Sequence, residues 1–177
     1  MDRRIMIVSD DKYQGHRIFR ELDSYIEFYE MFSMSVFGFC CMGTNALLSF
    51  DSYVYSSIQG TLESIRDIVR KGRINDAYAL LRKYYDSAII NVYSDLYLQD
   101  HFSLDNFIVD KINNWLQGKE RLPEYRVMSQ YIRSSNKLSA VNDLLCKKKY
   151  KEIRNRCNDH THYNFFHNVL LNDNSIR

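Results

Sequence analysis

The chain has 177 residues, of which 45% are hydrophobic and 26% charged, and its net charge is +2. This balance excludes a disordered tail or a low-complexity linker, and the length is right for one domain with a real core. One Pro and six Gly, against 14 Tyr and 10 Phe, predict long helices with short connections.

In chain order, Ile5-Met6-Ile7-Val8 is the one short stretch with a strand-like pattern. Met31 to Phe50 carries no charge, yet it holds Ser33, Ser35, Gly38, Gly43, Thr44, Asn45 and Ser49 and lacks a basic flank. It reads as a buried helix pair broken near Gly43-Thr44-Asn45 rather than a membrane span. Val54, Ile58, Leu62, Ile65 and Val69 then recur every three or four residues, one apolar stripe on a helix capped by Asp51 and stopped at Gly72. Asn75 is placed to cap a second helix, with Tyr78, Leu81, Tyr85, Ile89, Val92 and Leu96 on its buried face and Arg82 and Asp86 able to pair on the other. A third helix is predicted from Leu104 to Gln117, capped by Ser103 and stopped at Gly118, with Trp115 in the core. Pro123 opens a shorter helix through Ile132, and Ser134-Ser135-Asn136 is a turn. Val141, Leu144 and Leu145 begin a helix carrying Lys147-Lys148-Lys149, and a last helix covers Tyr163 to Leu171 with Phe166, Val169 and Leu170 inward. The class is all-α, an up-and-down helical bundle, with residues 1–50 as an N-terminal helical extension packed on a bundle of residues 51–177.

Charge is unevenly spread. Between Lys119 and Arg156 eleven basic residues face four acidic ones, an excess of seven, so the rest of the chain carries five net negative charges. A basic C-terminal third points to a polyanion partner. Four cysteines without CxxC spacing, and no secretory segment after Met1-Asp2-Arg3-Arg4, fit a reducing cytoplasm.

The most chemically pointed stretch is Arg154-Asn155-Arg156-Cys157-Asn158-Asp159-His160, followed by Thr161-His162. A permanent cation, a carboxamide and a titratable imidazole lie within it, groups that suffice to break a phosphodiester without a metal. Arg154, Asn155 and His160, with five residues between Arg and His near the end of an all-α bundle, resemble the hallmark motif of the HEPN superfamily. Arg156 and His162 satisfy the same Arg-to-His spacing.

The resemblance implies a metal-independent endoribonuclease in which the RNA 2′-hydroxyl attacks its own phosphate, in a toxin–antitoxin or phage-defence setting. It implies that His160 exchanges the proton, Arg154 stabilises the charge on the phosphate and Asn155 orients it, while Lys147, Lys148, Lys149, Lys151, Arg156 and His162 hold the RNA backbone. It also implies a homodimer with both motifs in one cleft, and an antitoxin protein as a further partner. On an unbroken helix Arg154 and His160 stand about 120° apart, so either the helix breaks at Asn158-Asp159 or the pair acts with a second copy. The alternative is a non-catalytic helical module that binds RNA, nucleotide or a protein partner through the same basic face; a third reading is a protein whose Tyr-rich helices merely dimerise. Cys157, His160 and His167 share a stripe, but His167 lies about 10 Å further along the axis, too far to share an ion. No metal and no cofactor are expected.

Overall fold

A computed structural model describes residues 8–40, 46–103, 108–162 and 164–166. These residues are helical, with no strand among them: α1 (Asp11–Gln14), α2 (Arg17–Cys40), α3 (Ala46–Arg70), α4 (Ile74–His101), α5 (Asp110–Leu116), α6 (Tyr125–Ser134), a 3-10 turn (Asn136–Leu138), α7 (Ser139–Lys147) and α8 (Tyr150–Thr161). The all-α expectation holds. The strand expected at 5–8 falls almost wholly outside the described residues, as does the break at 43–45. None of the described helices is long and apolar enough to cross a membrane.

The α3 stripe forms as predicted. Ile58, Leu62 and Ile65 are buried against Ile26 of α2, with Val54 and Val69 extending the same seam. The two helices are antiparallel and braced twice by polar contacts. Ser33 Oγ donates to the Ser52 carbonyl (3.0 Å), and Ser52 Oγ to that of Ser33 (3.1 Å). Further along, Arg66 reaches Asp23 at 2.9 Å. Near the end of α3, Tyr13 donates to the Val69 carbonyl (2.6 Å) and Gln14 to that of Arg70 (3.1 Å), satisfying acceptors the helix leaves open. Gly72 (φ 71°) closes α3, with Arg73 N–H bonded to the Ile68 carbonyl and Gly72 N–H to that of Val69. That reversal needs a left-handed residue. Gly118 (φ 70°) ends α5 in the same way.

The 28-residue α4 is the centre of the molecule. Its N-terminal half joins the α2/α3 core through Leu80, Leu81 and Tyr84. Its C-terminal half builds a second core, where Tyr93 and Leu96 meet Val109, Ile112, Met128 and Ile132. Trp115 packs edge-on to Phe50 (5.2 Å), in the core as expected.

Several expectations need correction. The uncharged stretch after Met31 is not fully buried, since Met31, Phe32 and Met34 are exposed. Asp51 lies inside α3 rather than capping it, and Asn75 is a buried residue of α4. Val92 is exposed, because α4 is covered on more than one side and its faces do not divide into one apolar and one polar. The third helix begins only at Asp110; Ile108 is exposed, and residues 104–107 lie outside the described residues. The predicted single helix through Lys149 is two helices. Lys149 takes the left-handed conformation (φ 57°) and turns the chain from α7 into α8. Phe166 is exposed, not inward, while Val169 and Leu170 lie outside the described residues.

Between α3 and α4 sits a pair of carboxyl groups. Asn91 donates to Asp51 Oδ1 (2.7 Å), and Asp95 is hydrogen-bonded to Asp51. Burial, then the Asp51 charge and that hydrogen bond, push Asp95 from its ordinary 3.8 up to about 7. The folded chain therefore holds a proton that the unfolded chain releases near pH 4. Stability should fall as the pH climbs from about 4 to about 7 and level off above that. Asp95→Asn, which keeps a donor toward Asp51 and removes the charge, should raise the unfolding free energy at pH 8 by about 1–3 kcal/mol. It should change little at pH 4, as urea titrations at the two pH values would show.

Candidate functional site

The C-terminal motif lies on α8, which runs antiparallel to α4. Tyr150 meets Tyr85 (6.0 Å between rings), Arg154 meets Asp86, and His160 meets Asn75. The facing residues of α4 are Asn75, Tyr78, Arg82 and Asp86, spaced by three, four and four, so they form one stripe. Those of α8 are Arg154, Cys157 and His160, spaced by three.

Asp86 is the hub. Arg154 Nη2 donates to its Oδ1 (3.1 Å), and Arg82 Nε stands 3.8 Å from its Oδ2. Arg82 Nη1 in turn lies 3.0 Å from His162 Nε2. Arginine can only donate, so the ring nitrogen is the acceptor in this contact. Arg154 is more enclosed than Arg82, 16% exposed against 29%. Its guanidinium carbon sits 3.4 Å from the centre of the Tyr125 ring, and its Nε–H is buried without an acceptor. Asn158 Oδ1 is likewise buried and unpaired.

His160 is only 4% exposed. Its Nδ1 stands 2.7 Å from Asn75 Oδ1, and its ring stacks on Tyr78 at 3.9 Å and 13°. Cys157 is fully buried between the two polar contacts. Burial pushes its thiol up to about 11, against the opposing pull of Arg154 and Arg82. It is a protonated packing group, not a nucleophile. Among the described residues no group of three or more His, Cys, Asp or Glu is placed to hold a metal ion.

The expected break at Asn158-Asp159 does not occur, since α8 is continuous from Tyr150 to Thr161 and His162 ends it. Arg154 and His160 both meet α4 but hold different partners, and the structure does not bring them onto one another. Within one chain, Arg154 is joined instead to Arg82 and His162 through Asp86. Asn155 and Arg156 are exposed, as are Lys147, Lys148, Lys149 and Lys151 around the α7–α8 turn. Asn75 and Tyr125 carry no functional expectation from the sequence, and Tyr78 is expected there chiefly as a core or interface group. The signal available was the stripe of polar and aromatic residues from 75 to 86, whose Arg82 and Asp86 fall on a face that α8 covers and not on open solvent. No family model matches this chain, and neither a curated protein nor a solved structure matches it.

Removing the shared carboxylate leaves two cations facing each other, one of them largely buried. Asp86→Ala should destabilise the chain by about 1–3 kcal/mol, between the values for exposed and buried pairs. Loss of the exposed Arg17–Glu21 pair (3.6 Å) should change it by less than about 0.5 kcal/mol. Chemical denaturation of Asp86→Ala and Glu21→Ala side by side checks the difference.

Proposed function

We propose that the chain is a metal-independent, RNA-cleaving protein of the HEPN type, working at the polar junction of α4 and α8. The observation that carries this reading is the run of contacts from Arg154 through Asp86 to Arg82 and on to His162, beside the exposed cations of the α7–α8 turn. Two guanidinium groups on one carboxylate, one of them also touching an imidazole, suit a phosphodiester. Arg82 holds the lone pair of His162 in the absence of RNA. A phosphate that draws Arg82 away frees Nε2 to take a proton.

The step is then a transesterification. The 2′-hydroxyl loses its proton to His162 Nε2 and its oxygen bonds to phosphorus. The bond from phosphorus to the 5′-oxygen breaks, and that oxygen leaves with a proton from water. The products are a 2′,3′-cyclic phosphate and a 5′-hydroxyl. Arg154 and Arg82 bind the phosphate oxygens, and Lys147, Lys148, Lys149, Lys151 and Arg156 track the backbone. His160 acts as a positioning residue, because Asn75 and Tyr78 enclose its ring; this moves the proton transfer from His160 to His162. A toxin–antitoxin or phage-defence setting, and a protein that restrains the activity, belong to this proposal through the resemblance alone.

The enclosure of His160, the imidazole the resemblance singles out, favours a second reading: a non-catalytic module that holds RNA on the same cations. Purified protein incubated with end-labelled RNA in EDTA separates the two. Cleavage is expected, with His162→Ala and Arg154→Ala lowering the rate by about 10²-fold or more. His160→Ala should cost less than His162→Ala at matched folding. Salt-dependent retention of intact RNA by the wild type points to the second reading; cleavage that survives His162→Ala refutes the role given to that residue.

A further inference from the structure

Ser24, Tyr25, Phe28 and Tyr29 of α2 meet Tyr84 of α4 around an open depression. Its rings are held from outside it. Tyr29 and Tyr84 join through their hydroxyls (3.2 Å) and stand edge-on at 6.3 Å, and Phe28 meets Tyr29 edge-on at 5.3 Å. Phe32 stacks on Phe28 at 5.1 Å and is itself braced edge-on by Tyr55 of α3. Tyr25 and Phe28 are nonetheless 59% and 46% exposed. The hydroxyls of Tyr25 and of Tyr150, the first residue of α8, are both close enough to act on that of Tyr84. The depression therefore lies where α2, α4 and the start of α8 come together. One hydrogen bond between two hydroxyls uses one proton, so the Tyr29–Tyr84 pair keeps an O–H to donate and lone pairs to accept.

Aromatic faces accept either a cation or another flat π-system. The charges around the depression decide between them. Arg17, Arg20 and Glu21 line an adjoining hollow that shares Ser24, two guanidinium groups against one carboxylate. That carboxylate already stands 3.6 Å from Arg17. Lys149 and Lys151 flank Tyr150 in the chain and are exposed, and Glu152 lies 3.7 Å from Lys149. Glu27 stands about 200° round α2 from Tyr25, on another flank. A cation would thus enter past a positive rim, whereas a flat group with anionic neighbours meets rings and rim together. A nucleotide strand has that chemistry.

We propose that the depression between Tyr25, Phe28, Tyr29 and Tyr84 is a nucleobase pocket for single-stranded RNA, in which one unpaired base stacks on Tyr25 and Phe28 and the Tyr29–Tyr84 hydroxyl pair meets its edge. The proposal rests on the RNA reading above and gives it a substrate class. Tyr150 stands one turn from Arg154, about 6 Å along α8, so a strand held by Lys149 and Lys151 reaches both the phosphate site and the pocket. Arg17 and Arg20 meet the phosphate beyond the base. Duplex RNA keeps its bases stacked inside and presents none to the pocket.

Fluorescence anisotropy with an end-labelled hexamer of 2′-O-methyl ribonucleotides tests it, because that strand has no 2′-hydroxyl to attack and binding is read apart from cleavage. The wild type should bind the hexamer, and bind the same sugar–phosphate strand without bases about tenfold or more weakly. Tyr25→Ala with Phe28→Ala should weaken the intact hexamer to a similar degree, with the helical circular dichroism unchanged, since both side chains are exposed. The dependence of its affinity on salt should stay that of the wild type, because no phosphate contact is removed. Tyr25→Trp, which keeps a stacking face, should retain the affinity. Equal binding of the two strands overturns the pocket, and so does a double variant that binds as the wild type does. A wild type that ignores the hexamer but self-associates through Tyr25 and Phe28 also overturns it and gives these rings to a second copy. Base-dependent binding by a protein that cleaves no RNA upholds the pocket and removes only the nuclease. Cleavage unchanged in Tyr25→Ala with Phe28→Ala, with hexamer binding also unchanged, removes the pocket and leaves the nuclease.

Discussion

One carboxylate, Asp86, determines how the C-terminal helix sits. Helix α8 has little apolar surface to bury: Cys157 and His160 are its only buried residues. Its attachment to α4 is therefore mostly polar, made by Asp86 with Arg154, by Asn75 with His160, and by the Tyr78 and Tyr125 rings under the imidazole and the guanidinium. Such contacts contribute little net stability, because each charge gives up water to form them. What they contribute is direction. An apolar seam tolerates sliding and rotation of a helix, whereas a carboxylate held at 3.1 Å by one guanidinium and approached by a second does not. The position of every group proposed to meet RNA follows from that constraint.

The parts of the fold legible in the sequence are those where one principle acts alone. The α3 stripe needed only helical periodicity. Gly72 and Gly118 were legible as stops because a left-handed reversal selects glycine. Lys149 makes the same reversal without that signal, since a lysine in this conformation is uncommon and costs roughly 1 kcal/mol. The Lys147–Lys149 run thus reads as helix while the chain turns there. Helix α4 departs from its sequence pattern for a different reason. Periodicity separates one apolar face from one polar face, and α4 has partners on several sides. Its polar stripe faces another polar helix, so Arg82 and Asp86 have the spacing of a solvent-exposed pair although α8 covers them.

The motif itself shows the same limit. Its residue types were evident, but their directions depend on where α8 ends. With the helix continuous through Thr161, His160 is carried onto Asn75 and Tyr78, and the next imidazole, His162, emerges at the helix end beside Arg82. Two histidines two residues apart thereby acquire different environments, one enclosed and one exposed. Cys157 between Arg154 and His160 behaves as a small apolar residue, since burial keeps its thiol protonated far above neutral pH.

Tyrosines tie this junction to the rest of the molecule. Tyr29 of α2 and Tyr84 of α4 share a hydroxyl contact at 3.2 Å, Tyr84 packs on Tyr85, and Tyr85 on Tyr150 at the start of α8. Burial raises both Tyr84 and Tyr85, so their hydroxyls stay neutral across the physiological range and add no charge to the interior. A helix of this composition would not hold one shape alone in water. The course of α4 depends on the α2/α3 core at one end and the α5/α6 core at the other. Asn75 and Asp86, eleven residues apart, are thus held on a stretch of α4 whose opposite face packs on the α2/α3 core through Leu80, Leu81 and Tyr84. The separation between the His160 and Arg154 contacts is in this sense a property of the two cores. A core substitution that bent α4 would disturb the site without touching any residue in it.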